Sequence, residues 1–205
     1  MGLIKGACSI AKFKVKIKGQ DATDSIDEFM QGVAKFSFTE ITQNSDITSA
    51  YGWVNLMNNF STDFSDREFF KHPYVCLSFR RDTRSVPNKT LAQQCYDAEE
   101  LIKKENDLEF LAKKHRKEIR DTVFNKLIRQ AIPVSSYYAM VWDIDKGTVL
   151  FTGTSPKISD MFSFLFKETF DVGLQPVFPY EMACDISGEE AAANIWPIDS
   201  LGGAI

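Results

Sequence analysis

The sequence predicts an α+β fold, an antiparallel or mixed sheet with helices packed on it, one of them long and basic. Three observations point there. Short stretches with strict two-residue alternation, Ala11–Lys18 and Tyr74–Arg81, read as half-buried strands. Longer stretches with apolar residues three and four apart read as helices between them. A turn tripeptide, Asp145-Lys146-Gly147, separates two further alternating stretches and reads as a hairpin.

In chain order, Ala11–Lys18 reads Ala-Lys-Phe-Lys-Val-Lys-Ile-Lys. Phe13, Val15 and Ile17 face one way, and Lys12, Lys14, Lys16 and Lys18 form a row on the other, about 7 Å apart along the strand. The row has two readings: lysines that protect an edge strand from aggregation, or a face that meets a polyanion. Asp24–Glu28 opens a helix with acids in its first turn, on a stripe of Ile26, Phe29, Met30 and Val33. Phe36, Phe38 and Ile41 suggest a second strand and Trp53–Leu56 a third. Residues 58–73, rich in Asn, Ser and Asp with aromatics between them, read as a loop ending at His72-Pro73. In Tyr74–Arg81, Val75, Leu77 and Phe79 face one way and Cys76, Ser78 and Arg80 the other. Pro87 breaks the continuation. A helix then spans about Lys89–Glu105 on Leu91, Cys95, Ala98, Leu101 and Ile102. The long basic helix spans about Asp107–Ala131 and stops near Pro133. The hairpin strands are Ser136–Asp143 and Thr148–Thr152. Ser155-Pro156 starts another helix, apolar at Ile158, Met161, Phe162, Leu165 and Phe166. Gly173 ends it, and Leu174–Phe178 is a last short strand.

A chain of 205 residues with 44 % hydrophobic and 25 % charged residues is long enough to bury a core without metals or disulfides. Its 17 Phe promise an aromatic one. The expected organisation is one domain over residues 1–184, divisible into lobes of about 1–88 and 89–184, followed by an acidic tail over 185–205. No apolar run approaches the ~20 residues of a membrane span, and the start is too short in apolar residues for a signal peptide. A cytoplasmic location without membrane contact is expected. The four Cys are scattered and form no Cys-x-x-Cys pair, and His72 and His115 are the only imidazoles. No metal, no cofactor and no nucleophilic catalytic group is expected from that inventory.

The net charge is −4, yet the cations are clustered. Beside the Lys12–Lys18 row, Lys113, Lys114, Arg116, Lys117, Arg120, Lys126 and Arg129 stand against only Glu118 and Asp121. At 100° per residue, Lys113, Arg116, Lys117 and Arg120 share one side of the helix, and Leu108, Ala112, His115 and Ile119 the other. A third group, Arg80, Arg81 and Arg84, lies where a strand ends and a helix begins. Three local positive surfaces on an acidic chain favour a polyanion partner. One feature competes with this. Asp143 and Asp145, two apart, would share a strand face, and paired carboxylates can hold Mg²⁺ for phosphodiester hydrolysis. The bland alternative is that Asp145 opens the turn and Asp143 is a solvated residue.

The order of Tyr51-Gly52-Trp53-Val54, the strand Val75–Arg84 leading to Val86-Pro87, the Lys-rich helix Lys113–Leu127, the hairpin, and a helix leading to Leu174-Gln175-Pro176 resembles the RdgC family, bacterial recombination-associated proteins. The resemblance covers about residues 10–180, the N-terminal half of the family. It departs where Gly-Trp-Val continues with Asn55-Leu56 rather than with prolines. The resemblance implies a non-enzymatic DNA-binding protein without sequence preference, acting on single or double strands and associated with the nucleoid. It also implies a homodimer that closes into a ring around DNA and hinders loading of a RecA-type recombinase. Arg80, Arg81 and Arg84 match the family's basic strand end, and Lys113, Lys114, Arg116, Lys117 and Arg120 its basic helix. The Met161–Phe170 segment and the strand Tyr74–Phe79 are the expected dimer contacts. A metal-dependent exonuclease using Asp143 and Asp145, and a protein-interaction module that binds an acidic partner, are the competing readings.

Overall fold

In a computed structural model, residues 7–16, 26–178, 182–183 and 186 are described. The elements are β1 (Ala11–Lys16), α1 (Ile26–Lys35), β2 (Ser49–Asn55), β3 (Phe70–Lys71), β4 (Tyr74–Thr83), α2 (Asn88–Glu105), α3 (Lys113–Gln130), β5 (Val134–Asp143), β6 (Thr148–Phe151), α4 (Pro156–Phe170) and β7 (Gly173–Pro176). The strands form a sheet in the order β2-β4-β5-β6-β1-β7, with β3 on β4, so the fold is α+β with antiparallel pairing. Among the described residues no helix is long and apolar enough to cross a membrane. The described residues form two compact units, one from residues 7–16, 26–35, 64–77 and 138–178, the other from residues 36–63 and 78–137. The tail over 185–205, Lys18 and the Lys16 side chain lie outside what is described, apart from Ile186.

The first unit has an aromatic core. The alternation of β1 buries Phe13, while Lys12 and Lys14 face water. The amphipathic α1 buries Phe29 and Val33, and α4 buries Ile158, Phe162, Leu165, Phe166 and Phe170. Phe162 stacks on Phe151 at 3.8 Å between ring centres, and Trp142 lies 5.2–5.4 Å from Phe29, Phe166 and Phe170. Burying rings of this size supplies most of the driving force. Ser155 caps α4 by accepting the Ile158 N–H, with Pro156 at the first helical position. The β5–β6 turn closes at Gly147, in the left-handed region at φ 58°.

Strand β1 removes one of the two readings of its lysines. It pairs with β6 on one side and β7 on the other, so it is not an edge, and its lysines have no edge to protect.

In the second unit, Phe38, Ile41, Trp53, Val54, Phe79, Leu91, Leu111 and Ile128 are buried. The expected strand over Phe36–Ile41 is a single parallel bridge from Ser37 to Trp53. Its apolar spacing of two and then three breaks the strand period. Here the Phe38 N–H donates to the Trp53 carbonyl at 2.9 Å, and the Trp53 N–H to the Phe36 carbonyl at 3.0 Å. Gly52 makes this approach possible, because a Cβ there would lie 2.7 Å from the Phe38 nitrogen. Strand β2 starts four residues before the expected Trp53, and Gly52, Trp53 and Val54 are consecutively buried. With both faces covered there is no alternation to read. The basic helix also starts later than expected. Asp107 sits at φ 48°, and residues 107–112 connect α2 to α3 without helix.

Candidate nucleic-acid interface

Helix α3 has two sides with different surroundings. Its packing side faces α2: His115, Ile119, Thr122 and Val123, with Ala98 and Ile102 of α2 and Leu108 and Leu111 of the connection, line a cleft of about 710 Å³. Its other side turns Lys113, Lys114, Lys117 and Arg120 to water, and Arg116 stands at the edge between the two sides; all five are exposed. Arg116 reaches Glu99 of α2 at 3.5 Å, through a half-exposed pair of little energetic weight. Lys113, Lys114, Lys117 and Arg120 have no ion-pair partner among the described residues. Seven rises of about 1.5 Å put Lys113 and Arg120 about 10.5 Å apart along the axis, a length over which one strand of a duplex advances by about three phosphates.

The arginine group is not a second such surface. Arg80 and Arg84 are buried, at 9 % and 7 % exposure. Arg80 donates from Nε and Nη2 to the two carboxylate oxygens of Asp82, at 2.9 and 2.8 Å, and also to the Ser135 hydroxyl. The Asp82 hydrogen bond raises the guanidinium pKa above its ordinary value. Its planar group lies 4.1 Å from the Phe38 ring centre. Arg84 donates to the carbonyls of Ser45 and Thr42 and so pins the loop before β2. The forked geometry that would clasp a phosphate therefore clasps the protein itself. Arg80 and Arg84, expected at the DNA surface, are thus engaged within the fold. Arg81 is half-buried, with its Nε unpartnered.

Of the lysine row, Lys12 and Lys14 are exposed on β1. Lys16 ends the strand.

The acidic pair is separated in its partners. Asp143 accepts the Lys146 N–H at 3.0 Å and lies 3.2 Å from the Lys146 ammonium. The backbone hydrogen bond, aided by the side chain, holds its carboxyl below the usual aspartate range. Asp145 is exposed and faces His72 at 3.7 Å. Among the described residues no three His, Cys, Asp or Glu side chains are grouped to hold a metal. The expected dimer contacts are also largely used inside the fold. Val75, Leu77, Phe79, Phe162, Leu165, Phe166 and Phe170 are buried, leaving Tyr74 and Phe164 exposed.

One feature escaped the sequence reading. The loop after β2 exposes Met57 and Phe60 almost fully. Two large apolar residues set among asparagines were the available signal.

No curated protein matches the chain. A family model described as "Putative exonuclease, RdgC" matches residues 13–187, which runs from the third residue of β1 past the end of β7. The match takes in the Gly-Trp-Val strand held against Phe38, the basic helix and the hairpin, and on that extent the chain belongs to the RdgC family.

Proposed function

We propose that the chain binds DNA without sequence preference through the outward side of α3, as a homodimer, and acts in recombination by limiting access of a RecA-type recombinase to the bound DNA. The observation that carries this reading is the exposed set Lys113, Lys114, Lys117 and Arg120, without carboxylate partners among the described residues. Such a set attracts phosphates by counterion release, which is indifferent to sequence. Family membership supports the general role in recombination.

Gel shifts with random single-stranded and duplex DNA, over a range of salt and with and without Mg²⁺, test the proposal. Four phosphates neutralised by Lys113, Lys114, Lys117 and Arg120, at about −0.9 each, give a log–log salt slope of roughly −3 to −4 on duplex. An affinity indifferent to salt would remove it. The DNA should be recovered intact with Mg²⁺ or Mn²⁺. Degradation abolished by Asp143→Asn would establish the exonuclease reading instead. Light scattering that gives a mass near 23.2 kDa at every concentration would remove the dimer.

A further inference from the structure

The loop between β2 and β3 holds Met57 at 75 % exposure and Phe60 at 80 %. It does so by construction. The Asn55 carboxamide oxygen accepts the N–H groups of Met57 and Asn58, at 2.8 and 3.3 Å. The Asn58 side chain accepts the Phe60 N–H at 3.2 Å, and its carbonyl the Ser61 N–H at 2.9 Å. The Ser61 carbonyl then takes the Asn55 N–H at 2.9 Å and closes the loop. Two Asx turns and a closing backbone bond leave the chain little freedom to fold these side chains inward.

Behind Phe60 stands an ordered series of flat groups. Its ring meets Tyr137 edge-on at 6.2 Å. Tyr137 lies 5.7 Å from the Arg80 guanidinium, which lies 4.1 Å from Phe38. Outward from the buried Phe38 the series runs through Arg80 and Tyr137 to Phe60, the end open to solvent.

We propose that Phe60, with Met57 three residues before it, stacks on an unpaired base of bound DNA. The proposal rests on the DNA-binding reading above and adds the part of the ligand that the lysines do not read. A nucleobase face is the flat partner that extends such a series. Residues 55–62 contain no Lys or Arg, so the contact neutralises no phosphate. Bases in a duplex are already stacked on one another, whereas those of a single strand are free to receive a ring. Phe60 therefore favours single strands and frayed ends.

The test is anisotropy of labelled oligo-dT and of a duplex, at several salt concentrations, with the full chain and Phe60→Ala, Phe60→Leu and Phe60→Trp. The side chain is exposed, so the variants fold. Alanine and leucine should each weaken oligo-dT binding roughly 5- to 150-fold, the range for loss of one stacked base. The salt slope should not change, the duplex should lose less, and tryptophan should restore binding. Leucine binding like wild type would mean a merely apolar contact and overturn the proposal. So would an alanine variant that binds DNA normally, including one whose only change is a lower mass in light scattering. In those cases wild-type binding with its salt slope leaves the α3 reading standing. A wild type that binds no oligo-dT at any salt overturns the base contact, and one that also fails on duplex overturns both.

Discussion

Arg80→Ala should unfold this protein readily rather than weaken its hold on DNA. In the native state the Arg80 and Asp82 side chains are 11 % and 5 % exposed and joined by two short hydrogen bonds. Truncating Arg80 leaves the Asp82 carboxylate buried without its counterion, which typically costs about 3–5 kcal/mol. The stacking of the guanidinium on Phe38 is lost with it. Against a total stability on the order of 5–15 kcal/mol, that is a large share. For a chain of this size, each kcal/mol moves Tm by about 2–4 °C, so a fall of roughly 6–20 °C is expected. Urea unfolding followed by tryptophan fluorescence gives the free energy directly, since Trp53 is fully buried and meets Phe79 edge-on. The double variant Arg80→Met/Asp82→Leu removes the uncompensated charge and should recover most of the loss. DNA affinity, measured well below the lowered Tm, should match wild type. An Arg80→Ala protein as stable as wild type but defective on DNA would refute the reasoning and restore Arg80 to the binding surface.

Three further outcomes are expected. Lys113→Glu/Lys117→Glu should weaken DNA binding strongly and flatten the salt slope by about 2, with Tm unchanged; a slope unaltered within error would mean that this side of α3 is only solvated. Gly52→Ala should destabilise by roughly 1–3 kcal/mol or more in chemical unfolding, because the added Cβ meets Phe38 backbone rather than a movable side chain. The hydrogen bond from Arg129 holds the Asp46 carboxyl below the usual aspartate range. A depressed native pKa contributes stability that is present above the unfolded value and lost as pH falls through the native one. The difference between wild type and Asp46→Asn should therefore be present at neutral pH and disappear on acidification below the ordinary carboxylate range; a difference that grows on acidification would contradict the assignment.

Much of the fold was legible because periodicity survives wherever an element has one wet face. Strand β1, the β5–β6 hairpin and α4 with its Ser155-Pro156 start follow from local pattern. So does the basic side of α3, since exposed cations at helical spacing need no partner to be recognised. The pattern failed where both faces are covered, as at Gly52–Val54, and where a three-residue step in Phe36–Ile41 imitated alternation.

By itself the sequence determined an α+β chain with an aromatic core, a Lys-rich helix and membership of a family read from the order of its pieces. Only the tertiary structure decided which cations are available to a partner. Arg80, Arg81 and Arg84 look alike as letters, and they differ because of what β4 is packed against. Asp82, two residues on, takes the guanidinium of Arg80, and the carbonyls of Thr42 and Ser45, about forty residues away in the chain, take that of Arg84. Strand β1 gained neighbours on both sides from β6 and β7, more than 130 residues later in the chain, and its lysines thereby lost their edge. A charge's function depends on its surroundings in space, and contacts over such separations leave no trace in local spacing.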